Sequence, residues 1–115
     1  MKEKQKKLIT IIIPTFNSSN FIERSLNSLI NQTLNNFDVI ISDDGSTDNT
    51  LNKLYSYNSK FKKKNITLVI IKNKHVGPGN ARNQGIIKSK TDWLAFLDSD
   101  DAWQNNKVEI LENHI

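Results

Sequence analysis

WLAFLDSDD, residues 93–101, passes from an apolar run into three carboxylates within four positions. The run has the length and residue types of a short buried strand. Asp98, Asp100 and Asp101 fall where that strand would end. Like carboxylates so close raise one another's proton affinity unless a cation neutralises them. What the rest of the chain places beside this strand end decides both fold and chemistry.

Three more segments have the same character: LITIII (8–13), stopped by Pro14, FDVIIS (37–42) and ITLVII (66–71), with TDWLAFL (91–97) as the fourth. Helical spacing lies between and after them. Ile22, Leu26, Leu29 and Ile30 recur on one face, with Asn20 as expected N-cap and Glu23 as its capping-box partner. Asp48 is placed to cap a helix carrying Leu51, Leu54 and Tyr55, and a further helix is expected near 79–88. Val108, Leu111 and Ile115 mark a last helix, with Asn106 and Glu109 as a second box. Strands alternating with helices imply an α/β fold, a Rossmann-like three-layer α/β/α arrangement with a mostly parallel sheet covered on both faces.

At 115 residues the chain is sized for one small domain. Much of its net charge of +4 comes from MKEKQKK (1–7) and KFKKK (60–64), read as a basic N-terminal tail and a solvated loop. No aromatic residues interleave with the bases, so no nucleic-acid partner is expected. The absence of Cys removes disulfides, thiolate metal sites and Cys nucleophiles. LITIII is too short to cross a bilayer, and no cleavage signal follows it, which leaves the cytoplasm as the default location. The final helical pattern lacks a Gly or Pro terminator. The domain is therefore taken as 8–115 and expected to be incomplete at its C-terminal end.

Ligands of open parallel sheets bind beyond the carboxyl ends of the strands. After the first strand come Pro14, Thr15, Phe16 and Asn17; after the second, Asp43, Asp44, Gly45 and Ser46; after the third, a Gly-rich loop leading to Arg82; after the fourth, Asp98, Ser99 and Asp100. Taken singly, each has an ordinary explanation as turn, cap, surface or core. Together they converge on one edge. Asp98 and Asp100, two apart, project to the same side of an extended backbone and suit a hard divalent ion, Mg²⁺ or Mn²⁺, that completes its shell with water and phosphate. Asp101 reads as a cap for the next helix. One acid of the Asp43–Asp44 pair suits a hydrogen bond from a base or ribose. Arg82, near a helix start, suits phosphate oxygens, and Phe16 suits the face of a planar base. His75 has no partner at metal spacing and is read as structural or solvent-exposed. The sequence matches neither the P-loop nor the EF-hand pattern.

In this order and spacing, TIIIPTFN (10–17), SLINQT (28–33), VIISDDGSTDNT (39–50), VGPGNARNQGI (76–86) and WLAFLDSDD resemble the N-terminal half of inverting family 2 glycosyltransferases of the GT-A fold. The resemblance runs from about residue 8 to the end. It implies a nucleotide-diphosphate sugar donor, with UDP foremost. Phe16, where the family often carries Tyr, would line the uracil, and Pro14 would shape that wall. Asp44 would hydrogen-bond the base, with Asp43 supporting the turn or reaching the ribose, and Arg82 would lie near the phosphates or ribose. Asp100 would be the principal metal ligand and Asp98 a second, reaching ribose or the water around the ion.

The implied product is a cell-surface polysaccharide, lipooligosaccharide or glycolipid, assembled on a glycan or glycolipid acceptor with peripheral contact at the inner face of a membrane. Family members are commonly twice this length or more. The base that deprotonates the acceptor is therefore expected beyond Ile115, and Glu109 and Glu112 are not taken for it. The rivals are a non-catalytic nucleotide-binding module and a nucleotidyltransferase, though the latter would want a Gly- and Lys-bearing loop directly after the first strand.

Overall fold

The computed structural model describes residues 7–115. Strands β1 (Ile9–Thr15), β2 (Phe37–Asp43), β3 (Leu68–Lys72) and β4 (Trp93–Phe96) pair in parallel in the order β3-β2-β1-β4. Helices α1 (Ile22–Ile30), α2 (Thr50–Ser56), α3 (Asn58–Lys63), α4 (Pro78–Lys88) and α5 (Lys107–Asn113) complete the expected α/β alternation.

Alternation along the strands divides the core. Ile9, Ile11 and Ile13 of β1 join Phe37, Val39 and Ile41 of β2 against Ile22, Leu26 and Leu29 of α1, Leu54 of α2 and Phe61 of α3. Burying each of these side chains stabilises the fold by about 1.5–3 kcal/mol. Ile12 points to the other face, where Gly85 of α4 comes so near that an added Cβ would meet Ile12 Cγ2 at 2.6 Å. Thr10 shares that face with Ile12. Its buried hydroxyl lies 2.6 Å from Thr91 Oγ1 and accepts from Ser89 Oγ at 3.0 Å. The layers are helix, sheet, helix.

Cover over the sheet is uneven, contrary to the sequence expectation. β4 is an edge strand, and its Trp93, Leu94 and Phe96 are 49%, 39% and 45% exposed. β3, at the other edge, begins at Leu68 rather than 66. β1 continues through Pro14 to Thr15. In a parallel strand the N–H and C=O of one residue point to the same side. Ile12 O accepts Leu97 N–H, so Pro14, two residues on, faces β4, whose pairing has already ended at Phe96. The missing proline N–H therefore costs no ladder bond.

Three local expectations are corrected. Asn20 does not cap α1. Phe21 is the N-cap, Ser18 O closes the turn by accepting Phe21 and Ile22 N–H at 2.9 Å each, and Glu23 pairs instead with Lys53 at 3.2 Å. Asn106 is the N-cap of α5 but makes no side-chain cap bond, and Glu109 accepts from Thr33 Oγ1 at 3.3 Å. KFKKK is helical rather than a loop for most of its length: Tyr57 and Phe61, four apart, bury on one face, turning the lysines outward. The expected basic tail falls on residues 1–6, outside the described residues, except for Lys7. Its ammonium donates to Asn35 O at 2.9 Å and Asn65 O at 2.6 Å.

Candidate donor-binding site

Strands β1 and β2 stay paired to Thr15 and Asp43, whereas β1 and β4 part after Ile12 and Phe96. The sheet splits between β1 and β4, where the strand order reverses, and that split is where ligands enter folds of this class. A cavity of about 440 Å³ lies there. Pro14, Thr15, Phe16 and Asn17 form one wall; Asp44 and Arg82 contribute from the second strand end and from α4; Asp98, Ser99 and Asp100 face them from beyond β4. Of the residues named in the sequence as candidate donor or metal contacts, Asp43 alone is not part of the lining.

Asp43 stands behind the wall and holds the turn. Its carboxylate accepts from Thr15 Oγ1 at 2.7 Å, Ser46 Oγ at 2.6 Å and Ser46 N–H at 2.8 Å. Gly45 needs its φ of 79°, and its Cα faces the His75 backbone so closely that a Cβ would lie 2.9 Å from His75 N. Asn17, at φ 47°, ties the two loops together: its Oδ1 accepts Thr47 N–H at 2.8 Å, while its own N–H donates to Ser46 Oγ at 2.9 Å.

Asp44 is 3% exposed. Its Oδ1 accepts Val76 N–H at 2.9 Å and Gly77 N–H at 3.0 Å, and His75 Nδ1 lies 3.0 Å from Oδ2. The Gly77 N–H foremost holds this carboxyl below the usual carboxylate range; burial pushes the other way, and Val76 N–H and His75 add to the lowering. An ionised carboxylate only accepts, so Nδ1 carries the proton. The Val76 and Gly77 N–H groups ahead of α4 are thus directed at Asp44.

Asp98, Asp100 and Asp101 each place one carboxylate oxygen within 4.8 Å of the others, and all three are exposed. What gathers them differs from the sequence reasoning. The strand has ended, and a turn closed by Asp101 N–H to Asp98 O at 3.0 Å brings the side chains together. Asp101 does not cap α5, which starts at Lys107. From below, the buried hydroxyl of Ser25 on α1 donates to Ser99 O at 2.7 Å and also contacts Asp101 O, while Ser18 Oγ donates to Ser99 Oγ at 2.9 Å. Among the described residues no Lys or Arg forms an ion pair with these acids. Exposed oxygens around an open position suit a hard divalent ion that keeps several waters.

The sequence reading missed Ser18, Phe21, His75, Pro78 and Ala81, which also line the cavity. His75 is 63% exposed at its side chain, as expected of a loop residue, yet its ring stacks on Phe16 with centroids 4.4 Å apart and planes 20° apart. The signal available was its place in the Gly-rich loop that follows β3. Glu109 and Glu112 lie outside the cavity, and Glu112 accepts from Asn36 Nδ2 at 2.9 Å.

Comparison with known proteins bears on the fold and the family. The pattern of the family described as Glycosyl transferase family 2 matches residues 10–115. An uncharacterized glycosyltransferase of Rickettsia bellii (strain RML369-C) is 41% identical over 102 residues, which is 89% of this chain and 14% of that protein. The UDP-Glc:alpha-D-GlcNAc-diphosphoundecaprenol beta-1,3-glucosyltransferase WfgD of Escherichia coli is 34% identical over 104 residues, 90% of this chain and 39% of WfgD. The crystal structure of S. aureus TarS 1-349 in complex with UDP-GlcNAc superposes with a TM-score of 0.83 at 30% identity, over 92% of this chain and 30% of that one. The chain thus spans well under half the length of these relatives, and the part it spans has their GT-A fold. It belongs to glycosyl transferase family 2.

Proposed function

We propose that the cavity is the donor half-site of an inverting glycosyltransferase that takes a sugar from UDP-sugar and passes it to a hydroxyl of a glycan or glycolipid acceptor. The observation that carries this reading is the convergence of Phe16, Asp44, Arg82, Asp98 and Asp100, from separate segments, on one cavity of about 440 Å³. Phe16 offers an aromatic face to the base, and Asp44 a buried, ionised acceptor for a base N–H. Arg82 brings a guanidinium to the diphosphate. Asp98 and Asp100 would hold a divalent ion, Mn²⁺ or Mg²⁺, and the exposed oxygen cluster fits that ion. When bound, the ion offsets negative charge on the departing nucleoside diphosphate.

The TarS complex with UDP-GlcNAc supports the choice of a UDP-sugar, and the lipid-linked substrate in WfgD's name supports an acceptor at a membrane surface. Among the described residues no helix is long and apolar enough to cross a membrane. Contact there is proposed to be peripheral, on the cytoplasmic side. The acceptor's base is proposed to come from outside these residues. A thermal-shift panel of UDP-, GDP- and dTDP-sugars, with and without Mn²⁺, tests the reading beside Asp100→Ala. Stabilisation by UDP-sugars that needs Mn²⁺ and is lost in the variant is expected. Equal response to every nucleotide, or none, contradicts it.

A further inference from the structure

The proposed donor site assigns two contacts to the nucleobase: stacking on Phe16 and a hydrogen bond to Asp44. Both contacts are already made by one ring of the chain itself. The His75 imidazole lies 4.4 Å from the Phe16 ring centroid, tilted by 20°, and its Nδ1 is 3.0 Å from Asp44 Oδ2. A flat ring bearing an N–H, set against that aromatic face and that carboxylate, is what a uracil would present.

Asp44 has little left to offer a second ring. A carboxylate has about four acceptor sites. Val76 and Gly77 N–H take those of Oδ1, and His75 takes one on Oδ2, with the whole side chain 4% exposed. A base that stacks on the covered face of Phe16 and reaches Oδ2 must use the volume the imidazole now fills.

The imidazole can leave without the loop moving. The His75 backbone is pressed against Gly45, and its neighbours Val76 and Gly77 are bonded to Asp44, which fixes the main chain. The side chain is 63% exposed, so a rotamer change carries the ring into solvent. Leaving forfeits one stack and the Nδ1 hydrogen bond shared between Asp44 Oδ2 at 3.0 Å and Asp44 O at 3.1 Å.

From these observations, and resting on the donor-site reading above, we infer that His75 is an internal stand-in for the nucleobase: its ring occupies the base seat in the free chain and is displaced when the donor binds. The consequence is a donor affinity lowered by the fraction of molecules in which the seat is open. His75 thereby tunes affinity for the base while leaving diphosphate contacts untouched.

The test is UDP and uridine titration by calorimetry into the full chain with Mn²⁺, for wild type, His75→Ala and His75→Phe. His75→Ala is expected to bind both ligands about tenfold more tightly, equivalent to about 1.4 kcal/mol. His75→Phe, which keeps the stack, should gain less. In the wild type, the His75 ring proton resonances, shifted upfield by Phe16, should move to solvent-exposed positions on adding uridine. Unchanged or weaker binding by His75→Ala while the wild type binds UDP overturns this inference alone. Absence of UDP binding by all three proteins overturns the donor-site reading and this inference with it.

Discussion

The hydroxyl of Ser25, fully buried on α1, donates 2.7 Å upward to the carbonyl of Ser99, in the centre of the aspartate turn. It also contacts the carbonyl of Asp101, so one side chain props both halves of the turn that carries Asp98 and Asp100. The first core face and the candidate metal ligands are thereby mechanically joined.

Ser25→Ala leaves two carbonyls without their donor. It is expected to cost about 1–3 kcal/mol in urea unfolding. The same variant should weaken Mn²⁺-dependent UDP binding several-fold, because its aspartates are no longer held in register. A variant destabilised to this extent but binding Mn²⁺ and UDP like wild type would show that the prop is structural only.

The contact of Gly85 with Ile12 sets the spacing between α4 and β1. An added methyl would sit 2.6 Å from Ile12 Cγ2, so Gly85→Ala should destabilise by about 1–3 kcal/mol through overpacking. Removing the obstructing branch tests the cause. The Gly85→Ala, Ile12→Ala double variant should be more stable than the sum of the single effects implies, by more than about 0.5 kcal/mol in a double-mutant cycle.

Asp44 couples the site to pH. Its folded pKa lies below the usual range, chiefly because Gly77 N–H bonds the charged form. A depressed carboxyl pKa contributes stability in full above the unfolded value, about 3.9, and loses it as pH falls through the folded value. Asp44→Asn should therefore cost about 2 kcal/mol at pH 7. The gap from wild type should narrow only below about pH 4, in urea titrations run from pH 7 downward. A gap that is constant across that range would contradict the assignment.

Much of this architecture was legible because burial and strand order leave plain marks in the sequence. Ile9, Ile11 and Ile13 could only belong to a strand with a buried face, and acids at the ends of the second and fourth apolar runs announced the crevice between β1 and β4. Local polar bonding was less legible. Asn20 followed by Glu23 satisfies a capping pattern, yet Ser18's carbonyl closes the turn and Lys53, distant in sequence, claims Glu23. KFKKK reads as charge, and its helical anchor, the Tyr57–Phe61 pair, shows only when the first of the two is counted. Asp98 and Asp100 were correctly grouped for a reason the structure replaces: a turn, not strand alternation, gathers them. His75 escaped because its partners, Phe16 and Asp44, arrive from two other segments that no spacing rule connects.

The donor-site reading requires Asp44 and the Asp98–Asp100 turn to serve one ligand. The most direct measurement is nuclear magnetic resonance of the labelled chain titrated with UDP, first in Mg²⁺ and then with trace Mn²⁺. UDP-dependent shifts are expected at Phe16, Asp44 and His75, with paramagnetic broadening centred on residues 98–101 of the same complex and lost in Asp100→Ala. Shifts remote from Phe16 and Asp44, or broadening centred away from the aspartate turn, would contradict it.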